Sequence, residues 1–389
     1  MAFESIGFSK QGSLGVLTLQ SPATLNALTL EMVQGIEHHL RRSAADPEIA
    51  VLVLRGAGEK SFCAGGDVKK VVLAAKSDSN DRYPLDFFVT EYRLDYSIHV
   101  YPKPILVLGH GIVMGGGIGL LSGATCRVVT ETAQLAMPEI AIGLYPDVGG
   151  SYFLSRLPGH LGLYLGLTAA RINSADAIAL KFADFILQAS DFEALLEELL
   201  GVPWQDDEAT NRLFLKKTLQ HFAARAKAVP EMTVLPRQAE IERLIGGKSL
   251  TEIAASFSPA RNSADPWIAT GAQSFLNGCP TSAGIMIEQW KRGKTMSLAD
   301  CFRMELDLSL NCVKRPNFRE GVRARLIDKD QAPHWTPATL AEVSDDWIQE
   351  HFRSPWSPES HPFKDLETSV PRPKAPCHSP KAPEGGSGP

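Results

Sequence analysis

Two stretches of the chain strip side chains from the backbone where a strand gives way to a helix: Ser61-Phe62-Cys63-Ala64-Gly65-Gly66-Asp67 and His110-Gly111-Ile112-Val113-Met114-Gly115-Gly116-Gly117. Glycine admits close approach of a ligand and backbone angles closed to other residues, and a helix start offers N–H groups with no partner inside the helix. Two such turns converging aim two backbone donors at one oxygen, which is the construction of an oxyanion hole. Taken alone, the same glycines serve tight packing equally well. A dinucleotide site does not fit, because neither segment spells GxGxxG in a first strand-helix unit with an acidic residue downstream. Two carboxylates follow. Glu139 comes after Met137-Pro138, where the proline ring restricts how the side chain enters its surroundings. Asp147 stands between Pro146 and Val148-Gly149-Gly150. Read in isolation, Glu139 is an exposed turn glutamate and Asp147 a turn or N-cap aspartate closing its loop onto a helix. Cys63 lies inside the first turn with nothing basic spaced to activate it, so a small buried thiol is expected, and His110 is expected to be a satisfied structural histidine.

The elements that must position these residues alternate. Val16-Leu17-Thr18-Leu19 is a short β-rich run, Thr29 can cap a helix running through Met32, Val33, Ile36 and Leu40, and Val51-Leu52-Val53-Leu54 suits a strand covered on both faces. The rhythm recurs with Ile105-Leu106-Val107-Leu108, the glycine-rich turn and Cys126-Arg127-Val128-Val129-Thr130, so the first half reads as α/β. From about Asp191 the texture is helical, and residues 282–313 read as two helices joined around Gly293 and Ser297. Three regions are expected: a catalytic core over 1–190, a helical region over 191–352, and a disordered tail rich in Pro, Ser, Lys and Gly over 353–389.

Composition excludes several classes. With 44% hydrophobic and 21% charged residues the chain has the make-up of a soluble globular protein, and its net charge of -5 gives no general field for nucleic acid or anionic membranes. The six cysteines form no CxxC pair and no zinc-ligand pattern with histidine, so no metal is expected and the thiols are expected to be reduced and mostly buried. No apolar stretch is long enough to span a bilayer, and the first residues lack the marks of a signal or transit peptide, which makes the cytoplasm the expected location.

The segments Pro22-Ala23-Thr24-Leu25-Asn26-Ala27-Leu28, Phe62-Cys63-Ala64-Gly65-Gly66-Asp67 and Gly115-Gly116-Gly117 resemble, in order, three signatures of the crotonase (enoyl-CoA hydratase/isomerase) superfamily. Residues 137–154 and the run Phe318-Arg319-Glu320-Gly321-Val322-Arg323-Ala324-Arg325-Leu326-Ile327-Asp328-Lys329-Asp330-Gln331 resemble its 3-hydroxyisobutyryl-CoA hydrolase branch, so the likeness spans roughly residues 5–350 and omits the tail. The resemblance implies a spiral of ββα turns followed by an extended helical C-terminal region. It implies that the amides of Gly66 and Gly116 form an oxyanion hole for a thioester carbonyl. No cofactor is implied beyond the coenzyme A carried by the substrate. Self-assembly, often as trimers in the superfamily, is implied unless the long helical region covers the surface involved.

The resemblance also separates the possible reactions. Hydratases of the superfamily use two glutamates; the first position here is Gly119, which argues against water addition, and Glu139 fills the second. In the hydrolase branch the position of Asp147 is an active-site acid and that of Glu91 contacts substrate, together with Gly116, Glu139 and Asp147. Glu91, flanked by Arg93, reads equally well as a solvated ion-pair partner. Two carboxylates beside one thioester divide labour when their surroundings separate their pKa values. Glu139 is expected to activate water or to attack as a nucleophile, and Asp147 to hold the substrate's 3-hydroxyl or the water and manage the proton. The expected reaction is hydrolysis of a short 3-hydroxyacyl-CoA, 3-hydroxyisobutyryl-CoA of valine catabolism in the first place. The alternatives are an enoyl-CoA hydratase/isomerase acting on a short or branched acyl-CoA, and a catalytically idle CoA-binding scaffold. Asp328-Lys329-Asp330 is expected in a salt network.

Overall fold

The apolar runs become strands whose two faces are both covered. In the computed structural model, which describes residues 3–77 and 81–367, the strands are β1 (Ile6–Gln11), β2 (Leu14–Leu19), β3 (Val51–Gly56), β4 (Ser61–Cys63), β5 (Ile105–Gly109), β6 (Ile112–Met114), β7 (Cys126–Thr130), β8 (Gln134–Ala136), β9 (Ile172–Asn173) and β10 (Phe185–Leu187). They form a six-stranded sheet in the order β1-β2-β3-β5-β7-β10 and a four-stranded sheet in the order β4-β6-β8-β9. From β2 to β10 the larger sheet is parallel, and only β1 runs antiparallel to its neighbour. Each ββα turn adds a long strand to one sheet and a short strand to the other before its helix: β3 and β4 lead to the helix Val68–Ser77, and β5 and β6 are followed by the helix Gly116–Ser122. The chain thus advances as a spiral, and both glycine-rich turns leave the same sheet side by side.

Alternation along β3 explains its unbroken apolar sequence. Leu52 and Leu54 join the main hydrophobic cluster, while Val51 and Val53 join a second cluster closed by Leu195, Leu199, Leu215 and Phe222 from the helices Phe192–Leu200 and Glu208–Ala223. The expected helix after Thr29 is Leu30–Ala45, with the Thr29 side chain accepting from Met32 N at 3.1 Å. Residues 282–313 fold as the expected pair, Pro280–Gly293 and Leu298–Lys314, the second capped by Ser297. Trp290, Phe302, Leu306 and Phe318 share one cluster with Leu54 and Tyr92, so no core boundary falls near residue 190.

The tail departs from expectation over its first part. Residues 353–367 pack onto the body: Phe363 and Leu366 are buried, Arg303 Nε donates to Phe363 O at 3.0 Å, and Arg93 Nη2 donates to Pro362 O at 2.7 Å. Average composition hid this, because two apolar side chains meeting an existing groove are enough to anchor a proline-rich strap. Residues 368–389 lie outside the described residues. Among the described residues no helix is long and apolar enough to cross a membrane.

Candidate active site

Backbone conformation brings the two glycine turns together. Gly65 (φ +108°) and Gly115 (φ +48°) hold angles that favour glycine, and a Cβ on Gly65 would lie only 3.7 Å from Gly116 N. A Cβ on Gly116 would lie 3.5 Å from Gly66 N and 2.6 Å from Glu91 Oε1. Gly116 opens the helix Gly116–Ser122, so its amide has no acceptor within that helix. Among the described residues neither the Gly66 nor the Gly116 amide has a hydrogen-bond acceptor. Two backbone donors therefore stand free at one place, at the buried end of a cavity of about 830 Å³.

The carboxyl groups converge on the same end. Glu139, in the 3₁₀ turn Glu139–Ile142, is 6% exposed; Asp147 is 5% and Glu91 3% exposed, and all three line the cavity. Glu139 Oε1 sits 3.1 Å from where a Cβ on Gly115 would be, and its Oε2 has no partner. Burial, then the neighbouring Asp147, holds the Glu139 carboxyl well above the usual range. Asp147 is treated differently: burial raises it to about 6, while the Tyr92 hydroxyl, donating to Oδ2 at 2.6 Å, favours its charged form. In the unliganded protein the pair's negative charge therefore rests on Asp147 and the proton on Glu139. A reaction needing that one charge should lose activity as Asp147 protonates. The expected pH profile of log kcat/KM rises with unit slope up to about pH 6 and is flat above it; undiminished activity a full unit lower would contradict this.

Glu91 is not a solvated ion-pair partner. Its Oε1 has no partner, and Arg93 reaches instead to Asp365 at 3.0 Å. The other minor expectations follow local chemistry. Burial raises the Cys63 thiol to about 12, which leaves it no nucleophile, and His110 Nε2 bonds Gly58 O at 2.8 Å. Cys63, Cys126, Cys279, Cys301 and Cys312 are buried thiols, while Cys377 lies outside the described residues. Asp328 and Asp330 both pair with Arg323, at 2.7 and 2.5 Å. Among the described residues no three His, Cys, Asp or Glu side chains are arranged to hold a metal ion.

Further residues around the site were missed from sequence. The helix Tyr83–His99 turns Glu91, Tyr92 and Asp95 inward, and the helix Leu298–Lys314 contributes Glu305 and Ser309. Glu305 accepts from Gly149 N and Ser151 N, each at 2.8 Å, while Gln289 Nε2 donates to Pro146 O at 2.6 Å. Tyr92 and Tyr145 both meet Ser309 Oγ, at 2.6 and 2.8 Å. Glu305, Gln289 and Ser309 of the helical region thus tie down the Asp147 loop, and Val148, a β-branched residue at φ +50°, is kept in a strained conformation there. Asp95, 1% exposed, puts its carboxyl into the space that Gly119 leaves: a Cβ on Gly119 would lie 2.9 Å from Asp95 Oδ2. The signal available was spacing, since Glu91 and Asp95 fall one helical turn apart on the stripe that carries Phe87 and Phe88.

Neither Asp95 oxygen has a partner, and burial, with Glu91, Asp147 and Glu305 nearby, raises its pKa well above the usual range. A carboxyl raised on folding contributes stability below its unfolded pKa and loses it as pH climbs through the folded value. Asp95→Asn is therefore expected to melt about 2–4 °C above the wild type at pH 8, the difference vanishing towards pH 4. Lower stability at pH 8 would mean that Asp95 carries a compensated charge.

Two backbone donors without acceptors, flanked by buried carboxyls, are an arrangement able to stabilise an oxyanion and move protons beside it. The chain belongs to the enoyl-CoA hydratase/isomerase family, the crotonase family, whose model matches residues 14–352. It is 38% identical over 344 residues to the mitochondrial 3-hydroxyisobutyryl-CoA hydrolase of Gallus gallus, covering 88% of this chain and 87% of that protein. It is 36% identical over 356 residues to the Homo sapiens protein of the same name, covering 91% and 89%. Among solved structures it is similar to a carnitinyl-CoA dehydratase from Mycobacterium thermoresistibile, with a TM-score of 0.81, 33% identity and 91% and 98% of the two chains covered. An enoyl-CoA hydratase from Rhodobacter sphaeroides 2.4.1 gives a TM-score of 0.79 at 34% identity, covering 90% and 98%. The expected cytoplasmic location is corrected by these relatives, since the hydrolases are mitochondrial by name. A targeting segment is an address read by import machinery and no part of the folded body, so the residues that begin the fold do not report it.

Proposed function

We propose that this protein hydrolyses a short 3-hydroxyacyl-CoA thioester, with 3-hydroxyisobutyryl-CoA as its substrate, to the free hydroxy acid and CoA. The observation that carries this reading is Asp147, buried beside Glu139 and tied to Tyr92, where Gly119 supplies no acid of its own. The thioester carbonyl lies against the amides of Gly66 and Gly116. The proton on Glu139 passes to Asp147, which frees the Glu139 carboxylate to draw a proton from water or to attack the carbonyl itself. By the water route, hydroxide adds to the carbonyl carbon and the two amides hold the resulting oxyanion. Collapse breaks the C–S bond, Asp147 gives its proton to the leaving thiolate, and Glu139 keeps the one taken from water. Thioester and water become acid and thiol, and both carboxyls end as they began. No cofactor enters this sequence.

Glu91 and Asp147 supply the polar wall for the 3-hydroxyl. A site built around a hydroxyl rejects an analogue lacking it by about 10⁴ when its own polar groups are left unpaired. A hydratase reading draws support from the names of the two similar structures. Against it stands the carboxyl nearest Gly119, which belongs to Asp95 and is buried away from the cavity lining. The two are separated by incubating the protein with 3-hydroxyisobutyryl-CoA and with crotonyl-CoA, following free thiol and the enoyl absorbance. Thiol from the first and no absorbance change with the second is expected; loss of the enoyl absorbance without thiol release would make it a hydratase.

A further inference from the structure

Asp147 O accepts from Gly150 N at 2.7 Å across Val148 and Gly149, both at positive φ (+50° and +90°), which is the pattern of a type I′ turn. Such a turn suits glycine at both central places, so valine at the first is strained and has to be held. The turn also leaves the amides of Gly149 and Ser151, at the start of the helix Gly150–Phe153, without acceptors inside that helix. Glu305 supplies them: Oε2 accepts from Gly149 N and Oε1 from Ser151 N, each at 2.8 Å, and the side chain is fully buried. Two oxygens joined in one rigid carboxyl fix the spacing of the two amides, which separate acceptors would not do. Burial pushes this carboxyl up to about 8, and the Ser151 and Gly149 donors pull it back towards its charged form.

The same helix also reaches the Asp147 side chain. Ser309, one turn beyond Glu305 and equally buried, has its Oγ 2.6 Å from the Tyr92 hydroxyl and 2.8 Å from that of Tyr145. The Tyr92 proton goes to Asp147 Oδ2, so the Tyr92 oxygen is left to accept from Ser309. Donors thus run in one order, Ser309 to Tyr92 to Asp147. Neither Glu305 nor Ser309 lines the cavity, whereas Asp147 does.

We propose that Glu305 and Ser309 are positioning residues for the thioester chemistry that act only through Asp147, Glu305 on its backbone and Ser309, by way of Tyr92, on its carboxyl. The proposal rests on the hydrolase reading above. It makes turnover depend on the helix Leu298–Lys314, which follows the ββα spiral in the chain.

The test compares kcat and KM for 3-hydroxyisobutyryl-CoA in wild type, Glu305→Gln and Ser309→Ala, and in each variant combined with Asp147→Asn. Glutamine turns one acceptor into a donor that faces an amide N–H, and alanine removes the hydroxyl from which Tyr92 accepts. The expected fall in kcat is about 10- to 10²-fold for Glu305→Gln and about three- to tenfold for Ser309→Ala, with KM within about twofold of wild type. In the Asp147→Asn background each should cost less than about twofold more, because its route to the reaction is gone. A merely structural role would instead multiply through in both backgrounds. Such multiplicative losses, changes confined to KM, or unchanged kcat in the folded single variants would overturn the proposal. Ser309→Ala removes one atom from a helix, so it keeps the comparison decisive should Glu305→Gln not fold. Hydrogen exchange at residues 147–151, measured without turnover, separates the proposal from the reaction it rests on. If wild type releases no thiol, yet Glu305→Gln exchanges the Gly149 and Ser151 amides about tenfold faster with the strand Val51–Gly56 unchanged, the hydrolase reading fails and the hold on the Asp147 loop stands. If wild type turns over and Glu305→Gln matches it in both exchange and kcat, the positioning role fails alone.

Discussion

Asp147→Asn is expected to lower kcat/KM for 3-hydroxyisobutyryl-CoA by about 10²–10⁴ while the protein stays folded. The amide has the carboxylate's shape, and its oxygen still accepts from the Tyr92 hydroxyl that now bonds Oδ2. The loop also keeps its other ties, Glu305 to the amides of Gly149 and Ser151 and Gln289 to the Pro146 carbonyl. What the substitution removes is the charge that takes the proton from Glu139 and the acid that later delivers it to sulfur. The limb near pH 6 should vanish with it, because the group that titrates there is gone. Melting temperature and CoA binding near the wild-type values, with turnover lost, are the combined result expected. Near-normal turnover in the folded variant would remove Asp147 from the chemistry.

Glu139→Gln is expected to have an effect at least as large, about 10²–10⁴ in kcat with the affinity for CoA little changed. Glutamine at this place neither takes a proton from water nor forms an anhydride with the acyl group. The fold should tolerate it, since Glu139 Oε2 has no partner in the unliganded protein and burial already keeps the carboxyl protonated. Kinetics would tell the two substitutions apart. Both lose the rate, but only Glu139→Gln retains a group near pH 6 in whatever activity is left. More than about a tenth of wild-type kcat would place the reacting carboxyl elsewhere.

What was legible in the sequence had local causes. The apolar runs of β2, β3, β5 and β7 and the cap at Thr29 depend on neighbours a few residues away, and they appear where expected. Gly66, Gly116, Glu139 and Asp147 are singled out by the family resemblance, since their glycine and proline spacing alone suits tight packing and ordinary turns equally well. The short strands β4, β6 and β8 are three residues each, too short to establish a period, and exist because the larger sheet's spiral brings them alongside one another. Asp95, Tyr92 and Glu305 were hidden for a different reason. Each sits on a helix more than forty residues from the Asp147 loop, and which face of that helix turns inward is decided by packing across the whole domain. The same cause hid the packed start of the tail, where Phe363 meets a groove contributed by two distant helices.

The Gly119 position joins these two kinds of information. Its lack of a side chain is visible in the sequence, but the reason for it is not: Asp95 and Val148 already occupy the place, at 2.9 and 2.8 Å from where a Cβ would stand. Any side chain there would press on the carboxyl cluster or on the strained Val148, and through Val148 on Asp147. Gly119 is thus part of the packing that supports the Asp147 loop.

On the proposed function, the buried carboxyls at the cavity floor cleave a thioester whose 3-hydroxyl they recognise. Its most direct test is the ratio of kcat/KM for thiol release from 3-hydroxyisobutyryl-CoA to that from isobutyryl-CoA, which differs only by the hydroxyl. A preference of about 10³ or more for the hydroxylated substrate is predicted. Equal rates would show that Glu91 and Asp147 do not read the hydroxyl, and would contradict the account.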